Sequence, residues 1–218
     1  MKYVICTLFG YLCGGINPSY LIGKLRGFDI RKRGSGNAGA SNAVLLLGKR
    51  AGVFAAVFDI LKTYFAIRLM RHLFPQSLLV RELTGVATLL GHVFPVYMRF
   101  HGGKGLSCHG GIVLEYNPLV FLCMLSCAVP LVLITGYICT VPIVASIAFP
   151  IIYGVLGGSV WGILLFALVA VTVTCKHLEN VKRIFSGTEA RISFLWNREA
   201  EIARLRENGA SEKNADQD

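Results

Sequence analysis

The chain has 218 residues, of which 54% are hydrophobic and 16% are charged, and its mean hydropathy is +0.60. In soluble domains about a quarter of the residues are charged, so this composition argues against a soluble domain and favours one compact membrane domain. A formal net charge of +10 would be consistent with a protein that binds nucleic acid. The basic residues, however, cluster beside apolar runs, between Lys24 and Arg50 and again from Lys176 onward. That pattern is typical of cytoplasmic loops, and we expect no nucleic-acid partner.

Several apolar stretches approach the roughly 20 residues that a helix needs to cross hydrocarbon. If all of them cross fully, the basic segments do not share one face, although their charge predicts a common cytoplasmic face. We therefore expect one stretch to be broken or re-entrant, or the short apolar turn Ala43–Leu47 to extend into the membrane. The predicted spans are about Tyr3–Ile22, Ala51–Met70, Leu83–Phe100, Ile112–Thr135, Ile138–Leu156 and Val160–Cys175.

The predicted membrane domain covers residues 1–196, and a charged cytoplasmic tail covers residues 197–218. We expect the tail to begin as an exposed helix and to be partly disordered, over Asn208–Asp218. The second predicted span carries Asp59 and Lys62, which lie three residues apart and share a helix face. Ionisable groups in a span face the protein interior, so this pair is either a brace between helices or part of an active site.

No metal site and no cofactor are predicted. The seven cysteines form an odd set without a C-x-x-C pair, and most lie in apolar runs, where they act as small packing residues. The histidines at positions 92, 101, 109 and 177 have no spacing typical of metal ligands.

The first of three polar segments runs from Gly34 to Asn42 and reads G-S-G-N-A-G-A-S-N. Its glycines let the backbone approach a ligand closely, and N–H groups that lead into a helix start form an anion site. Three basic residues, at positions 31–33, come just before it. Taken alone, the segment also fits a flexible surface loop.

The second segment, His101–Ser107, reads H-G-G-K-G-L-S. It is not a nucleotide-binding P-loop, because Met98 and Gly105 stand where that motif needs glycine and a hydroxyl residue. Backbone amides freed by glycine, together with Lys104, nevertheless suit a phosphate group. The alternative is a tight loop with an incidental lysine.

The third segment runs from His177, at the end of the last predicted span, to Glu189. His177 and Asn180 share a helix face, where an imidazole and an amide can orient or deprotonate a hydroxyl group. Gly187 is expected to end this helix. The alternative is that His177 is an interfacial residue with no role in chemistry.

In this order, separated by spans, the three segments resemble the acyl-phosphate-dependent glycerol-3-phosphate acyltransferase family of bacterial membranes (PlsY). The resemblance reaches from near the start of the chain to about Ile192, and it includes Asn17 and the run D-I-L-K at residues 59–62. The matching motifs are S-G-N-A-G-A-S-N at Ser35–Asn42, G-H-V-F-P-V-Y at Gly91–Tyr97, G-G-K-G at Gly102–Gly105 and H-L-E-N-V-K-R-I-F-S-G-T-E at His177–Glu189.

The resemblance implies an all-α integral membrane bundle of about seven helices, some short or broken, in the bacterial cell membrane, with its active site on the cytoplasmic face. The implied partners are acyl phosphate, glycerol 3-phosphate and membrane lipid. The implied reaction moves the acyl group to the 1-hydroxyl of the acceptor and yields lysophosphatidate and phosphate for phospholipid synthesis. The acceptor proton goes to His177 or to the donor's own phosphate.

By motif matching, the implied catalytic set is Ser35, Lys104, His177 and Asn180, and Glu179 is expected to brace the third segment. The implied substrate-binding residues are Gly36, Asn37, Gly39, Ser41, Asn42, Gly102, Gly103, Gly105 and Ser107.

The sequence departs from the family pattern at Leu45, Cys108 and Pro142, where an arginine, a threonine and a serine are usual. Lys49 or Arg50 is a candidate to replace the missing arginine, and Thr140 is a candidate to replace one hydroxyl group. These departures keep open the same chemistry on another phosphorylated acceptor. Asp59 and Lys62 also keep open a transporter of an anionic solute, although the three segments do not align as the inverted repeat that transporters often contain.

Overall fold

A computed structural model describes residues 1–208, and this part of the chain contains α-helices and short 3₁₀ turns but no strand. The 3₁₀ turns are Ile30–Lys32, Val96–Met98 and Ile192–Leu195. The helices are α1 (Lys2–Gly15), α2 (Pro18–Leu25), α3 (Ala40–Leu47), α4 (Lys49–Leu73), α5 (Val80–Val93), α6 (Leu106–Tyr116), α7 (Pro118–Thr135), α8 (Thr140–Val155), α9 (Val160–Phe185) and α10 (Arg198–Glu207).

Within residues 1–208, three stretches are long and apolar enough to cross a membrane: Lys2–Leu25, Pro118–Thr135 and Val160–Phe185. In α7 only 6% of the residues are buried inside the protein, and its leucines face outward. A soluble protein would not leave such a helix surface in water. The predicted all-α membrane class is therefore confirmed, while the number of about seven spans stays a prediction.

The first predicted span is broken between α1 and α2. Asn17 caps α2 by accepting a hydrogen bond from the Tyr20 N–H over 2.9 Å, and Pro18 occupies the first turn, where its missing N–H costs nothing. The Lys62 ammonium donates to the carbonyls of Gly14, at 3.0 Å, and Ile16, at 2.6 Å. These bonds satisfy carbonyls that lose their helical partners at the break.

A second break divides the predicted span Ile112–Thr135, which was wrongly predicted as continuous. The structure has α6 end at Tyr116 and α7 begin at Pro118. Asn117 between them has extended backbone, and its side chain accepts from the Leu119 N–H over 2.9 Å. An Asn-Pro pair supplies the cap and the first residue of a new helix, which is why α6 is separate from α7.

The core lies among α4, α5, α6, α8 and α9, around an aromatic group. Phe166 packs with its ring centroid 4.9 Å from Phe149 and 5.0 Å from Tyr153. On the other side, α1 lies against α5 with glycines at the contact: Gly14 meets the Thr88 carbonyl and Gly91 meets the Tyr11 carbonyl. Close backbone approach at small residues is how membrane helices pack.

The predicted helix at the start of the tail is present as α10, although it is not fully exposed, because Glu201 is buried. The prediction of disorder over Asn208–Asp218 falls, beyond residue 208, outside the described residues. The boundary between residues 196 and 197 stays a prediction.

Glu115 links three helices and provides a test of the fold. Its side chain is fully buried, and it pairs with Arg71 of α4 at 2.5 Å and Arg81 of α5 at 2.9 Å. Removing one partner of a buried ion pair costs about 3–5 kcal/mol. We expect Glu115→Ala to lower the thermal unfolding midpoint in detergent clearly. The control is Glu179→Ala, whose side chain is 76% exposed; equal midpoints for the two variants would contradict the brace.

Candidate active site

The three polar segments, which lie far apart in the sequence, meet at one cavity. Most of the predicted site residues line it, but Gly36, Gly102 and Gly103 do not. Those that do are Ser35, Asn37, Gly39, Ser41, Asn42, Lys104, Gly105, Ser107, His177 and Asn180. The cavity is also lined by apolar residues from α3, the turn before α8 and the chain after α9, including Leu45, Ile138 and Phe194.

Asn42 organises the first segment from its centre. Its buried side-chain N–H₂ faces the carbonyls of Ile30, Arg33 and Asn37, at 3.0, 3.1 and 2.9 Å, and its Oδ1 accepts from the Ser35 N–H over 3.0 Å. A second amide, Asn17, donates to the Ala38 carbonyl over 2.9 Å. The loop is therefore held rigid by buried amides, and Asn42 acts on the backbone although it also borders the cavity.

The second segment is tied to the end of α5 before it reaches the cavity. The N–H groups of Gly102 and Gly103 donate to the carbonyls of Val93 and His92, each over 3.0 Å. A Cβ atom at Gly103 would overlap the His92 imidazole, so only glycine fits there. These glycines place the backbone of the loop, and Lys104 then follows at the cavity.

Two helices begin at the cavity without a side-chain cap. Gly39 precedes α3 and Gly105, in the left-handed conformation with φ of 92°, precedes α6; neither start has a side-chain hydrogen bond. Gly39, Ser41, Gly105 and Ser107 all line the cavity. The first N–H groups of a helix have no intrahelical partner, so both starts are available to anions.

Lys104 joins the second segment to the third, because its ammonium donates to Asn180 Oδ1. Burial, reinforced by the Arg183 charge nearby, lowers the pKa of Lys104 to about 8. Among the described residues that line the cavity, Lys104 is the only lysine or arginine. It keeps its charge for a ligand, since its closest partner is a neutral amide.

His177 lies one helical turn before Asn180 and faces the same cavity. Its Nδ1 is 2.7 Å from the Val173 carbonyl, which can only accept, so Nδ1 carries the proton in the neutral ring. Nε2 is then an acceptor. The predicted pair on one helix face is thus brought together with Lys104, in an arrangement that suits a hydroxyl group.

The carboxylate that braces the third segment is Glu189. Glu189 is buried and accepts from Asn180 Nδ2 over 2.6 Å and from Arg183 Nε over 2.8 Å. Glu179, predicted for this role, is exposed and makes only a 3.2 Å pair with Arg183. Sequence reasoning missed Glu189 because its partners lie six and nine residues away across the helix end, beyond any helical spacing.

The Asp59–Lys62 pair is both a brace and a neighbour of the cavity. Lys62 Nζ lies 2.6 Å from Asp59 Oδ1, and Asp59 lines the cavity beside His92, whose Nδ1 is 3.5 Å from the same oxygen. The sequence analysis did not predict that His92 lines the cavity, although His92 belongs to the G-H-V-F-P-V-Y motif. Asp59, His92 and Cys108 are grouped closely enough for metal ligands, but the Lys62 ammonium already neutralises the carboxylate.

Leu45 forms part of an apolar wall of the cavity. It is buried and packs with Phe194, and Ala190, Ile138 and Ile202 adjoin them. Lys49 and Arg50 are exposed and lie outside the cavity lining, so neither replaces the arginine expected at position 45. Thr140 does not line the cavity either, since its hydroxyl bonds to the Tyr137 carbonyl over 2.8 Å.

Comparison with known proteins decides the family. The glycerol-3-phosphate acyltransferase family model matches residues 4–187. The chain belongs to this family. Glycerol-3-phosphate acyltransferases of Macrococcus caseolyticus and Bacillus subtilis are 35% and 34% identical to it; each alignment covers 89% of this chain, and 99% and 100% of those proteins.

A crystal structure of PlsY, an integral membrane glycerol 3-phosphate acyltransferase in its glycerol 3-phosphate form, has the same fold. Its TM-score is 0.82 at 32% identity, over 89% of this chain and 98% of that one. The crystal structure of the lysophosphatidic acid form of PlsY has a TM-score of 0.78 at 31% identity, and the match covers 88% of this chain and 95% of that one. The predicted family and the all-α integral membrane fold are therefore confirmed, and an acyltransferase class of enzyme follows from membership.

Asn42→Asp tests the organisation of the first segment. The substitution replaces an N–H₂ donor that faces three carbonyls with a carboxylate oxygen, and an unsatisfied buried group costs about 1–3 kcal/mol. We expect amide hydrogen exchange over residues 30–39 to become about 10- to 100-fold faster. Ser41→Ala, one residue away and exposed, should leave the exchange rates unchanged. Slow exchange in both variants would show that Asn42 does not hold the loop.

Proposed function

We propose that the chain transfers a fatty acyl group from acyl phosphate to the 1-hydroxyl of sn-glycerol 3-phosphate, in phospholipid synthesis. The observation that carries the proposal is the junction of Lys104, Asn180 and His177 at a cavity where two uncapped helices begin. Relatives that carry the name glycerol-3-phosphate acyltransferase, and a PlsY structure in a glycerol 3-phosphate form, support the acceptor.

Both proposed substrates are anions, and the site has separate means to hold them. The start of α6 with Lys104 receives one phosphate group, and the start of α3, with Ser35, Asn37 and Ser41, receives the other. Holding two anions side by side is the costly part of the reaction, because each would otherwise remain hydrated. Fixed N–H dipoles and one ammonium replace that hydration and supply proximity.

The chemistry needs no covalent enzyme intermediate, because acyl phosphate is already an activated mixed anhydride. The acceptor oxygen attacks the acyl carbon, the bond from that carbon to the phosphate oxygen breaks, and inorganic phosphate leaves. His177 Nε2 takes the hydroxyl proton as the new bond forms and passes it to the leaving phosphate. Lys104 and Ser35 stabilise the negative charge that develops on the carbonyl and phosphate oxygens, and Asn180 orients Lys104.

The proposed location of this cavity is the cytoplasmic face of a bacterial cell membrane. Basic residues flank the segments that build it, from Lys24 to Arg50 and again after Lys176. Positive charge beside a span favours the cytoplasmic side, where phosphorylated metabolites are found. Membrane lipid surrounds the exposed faces of the helices.

The direct test incubates purified protein in detergent with acyl phosphate and labelled glycerol 3-phosphate. We expect lysophosphatidate and one equivalent of inorganic phosphate. His177→Ala should lower kcat by about 10²- to 10⁴-fold if the imidazole takes the proton, and Lys104→Ala should lower kcat/KM by about 100-fold or more. Lys49→Ala, an exposed lysine, is the matched control.

The same assay with a panel of phosphorylated alcohols addresses the apolar wall at Leu45. Turnover of another alcohol phosphate but not of glycerol 3-phosphate would replace the proposed acceptor while keeping the chemistry. Hydrolysis or uptake into liposomes without acyl transfer would contradict the proposed reaction altogether.

The pH dependence of kcat/KM for the acceptor tests the charge of Lys104. Its lowered pKa of about 8 means that the ammonium is present below that pH and is lost as the pH rises through it. We expect kcat/KM to be level just below pH 8, where the His177 imidazole is neutral, and to fall about tenfold per pH unit above about pH 8. Lys104→Arg keeps its charge throughout, so the alkaline decline should disappear in that variant. An unchanged decline would assign it to another group.

A further inference from the structure

Helix α10 lies beyond residues 4–187, which the family model matches, yet it contacts the third segment directly. The Arg204 guanidinium bridges the backbone carbonyls of Gly187 and Glu189. Its Nη1 donates to the Gly187 carbonyl over 2.8 Å, and its Nη2 donates to the Glu189 carbonyl over 2.6 Å. A planar guanidinium can hold two acceptors in fixed geometry, which an ammonium cannot do.

Glu201 fixes the guanidinium and the following chain together. The side chain of Glu201 is buried and accepts from Arg204 Nη2 over 2.6 Å, from the Arg191 N–H over 2.8 Å and from the Ser193 hydroxyl over 2.8 Å. Ile202, one residue on, packs on the cluster of Leu45 and Phe194 that borders the cavity. The helix is therefore attached to residues 187–194 by charge-assisted bonds as well as by apolar contact.

A chain of hydrogen bonds runs from this attachment to the cavity. Glu189, whose backbone Arg204 holds, accepts from Asn180 Nδ2, and Asn180 Oδ1 accepts from Lys104. A carboxylate only accepts, so Glu189 determines which way the Asn180 amide faces. If Glu189 moved away, Asn180 Nδ2 would lose this acceptor, and only the Lys104 ammonium would still orient the amide.

We propose that α10 is a positioning element for the reaction: Arg204 and Glu201 hold Glu189 in place, and Glu189 thereby orients Asn180 toward Lys104. Arg204 and Glu201 touch no substrate and act through the segment that they hold. The effect on turnover rests on the proposed function, whereas the effect on the environment of Lys104 does not.

The kinetic test compares the full-length Arg204→Ala variant with wild type in the acyl-transfer assay. Loss of the bridge should lower kcat/KM about tenfold, and it should also lower the thermal unfolding midpoint, because it leaves the buried Glu201 without its charge partner. The kcat/KM of Arg204→Lys should lie between the values for Arg204→Ala and wild type. Arg198→Ala, an exposed arginine of the same helix, should match wild type. Full activity in Arg204→Ala would overturn the proposal.

A second readout does not depend on acyl transfer. The rate at which an amine-selective acylating reagent labels Lys104, measured by peptide mass spectrometry against pH, follows the fraction of free amine. Burial lowers the pKa of Lys104 most; of the groups that face it, Arg183 lowers the pKa further, whereas Glu189, Glu179 and Cys139 raise it. With Glu189 displaced, the labelling curve of Arg204→Ala should move about one pH unit lower, while that of Arg198→Ala stays in place.

The two readouts separate the two proposals. A wild type without activity but with a shifted labelling curve in Arg204→Ala would refute the proposed acceptor and support the positioning role. Coincident labelling curves would refute the positioning role whatever the activity. If Arg204→Ala is not recovered folded from the membrane, Glu201→Gln carries the same tests, since it keeps the side-chain size and removes the charge that orients Arg204.

Discussion

The site depends on a charged lysine in a poorly hydrated place whose nearest partner is a neutral amide. A buried ammonium beside a carboxylate would form a closed ion pair with little attraction left for a substrate. Lys104 instead donates to Asn180, and the carboxylate of Glu189 is one step further away, where Arg183 neutralises it. This order satisfies the ammonium without cancelling its charge, so it remains available to a phosphate group.

Backbone carbonyls and buried amides provide the rigidity that such a site needs. Asn42 and Asn17 hold the glycine-rich loop, and Lys62 donates hydrogen bonds to the free carbonyls at the break in the first span. Each interruption of a helix frees carbonyl or N–H groups, and in a membrane these groups must find partners inside the protein. The loops before α3 and α6 reach the cavity, and the starts of these two helices remain open to anions.

Much of this arrangement could be predicted from the sequence, because glycine, lysine and histidine between apolar runs are local signals. Leu119–Thr135 and the helix that carries His177 and Asn180 follow from hydropathy and a spacing of three residues. The break at Asn117 was missed although Asn-Pro signals it, because the apolar run on both sides dominated the interpretation. Glu189 and Arg204 could not be predicted, since they act through contacts between segments that only the fold brings together.

The central claim is that two anions meet at Lys104 and at the starts of α3 and α6, with the acceptor hydroxyl at His177. A structure of the protein with bound glycerol 3-phosphate tests this claim most directly. We predict its phosphate within hydrogen-bonding distance of Lys104 Nζ and the first N–H groups of α6, and its 1-hydroxyl within about 3 Å of His177 Nε2. A phosphate bound away from Lys104, with His177 Nε2 facing no part of the ligand, would contradict the account.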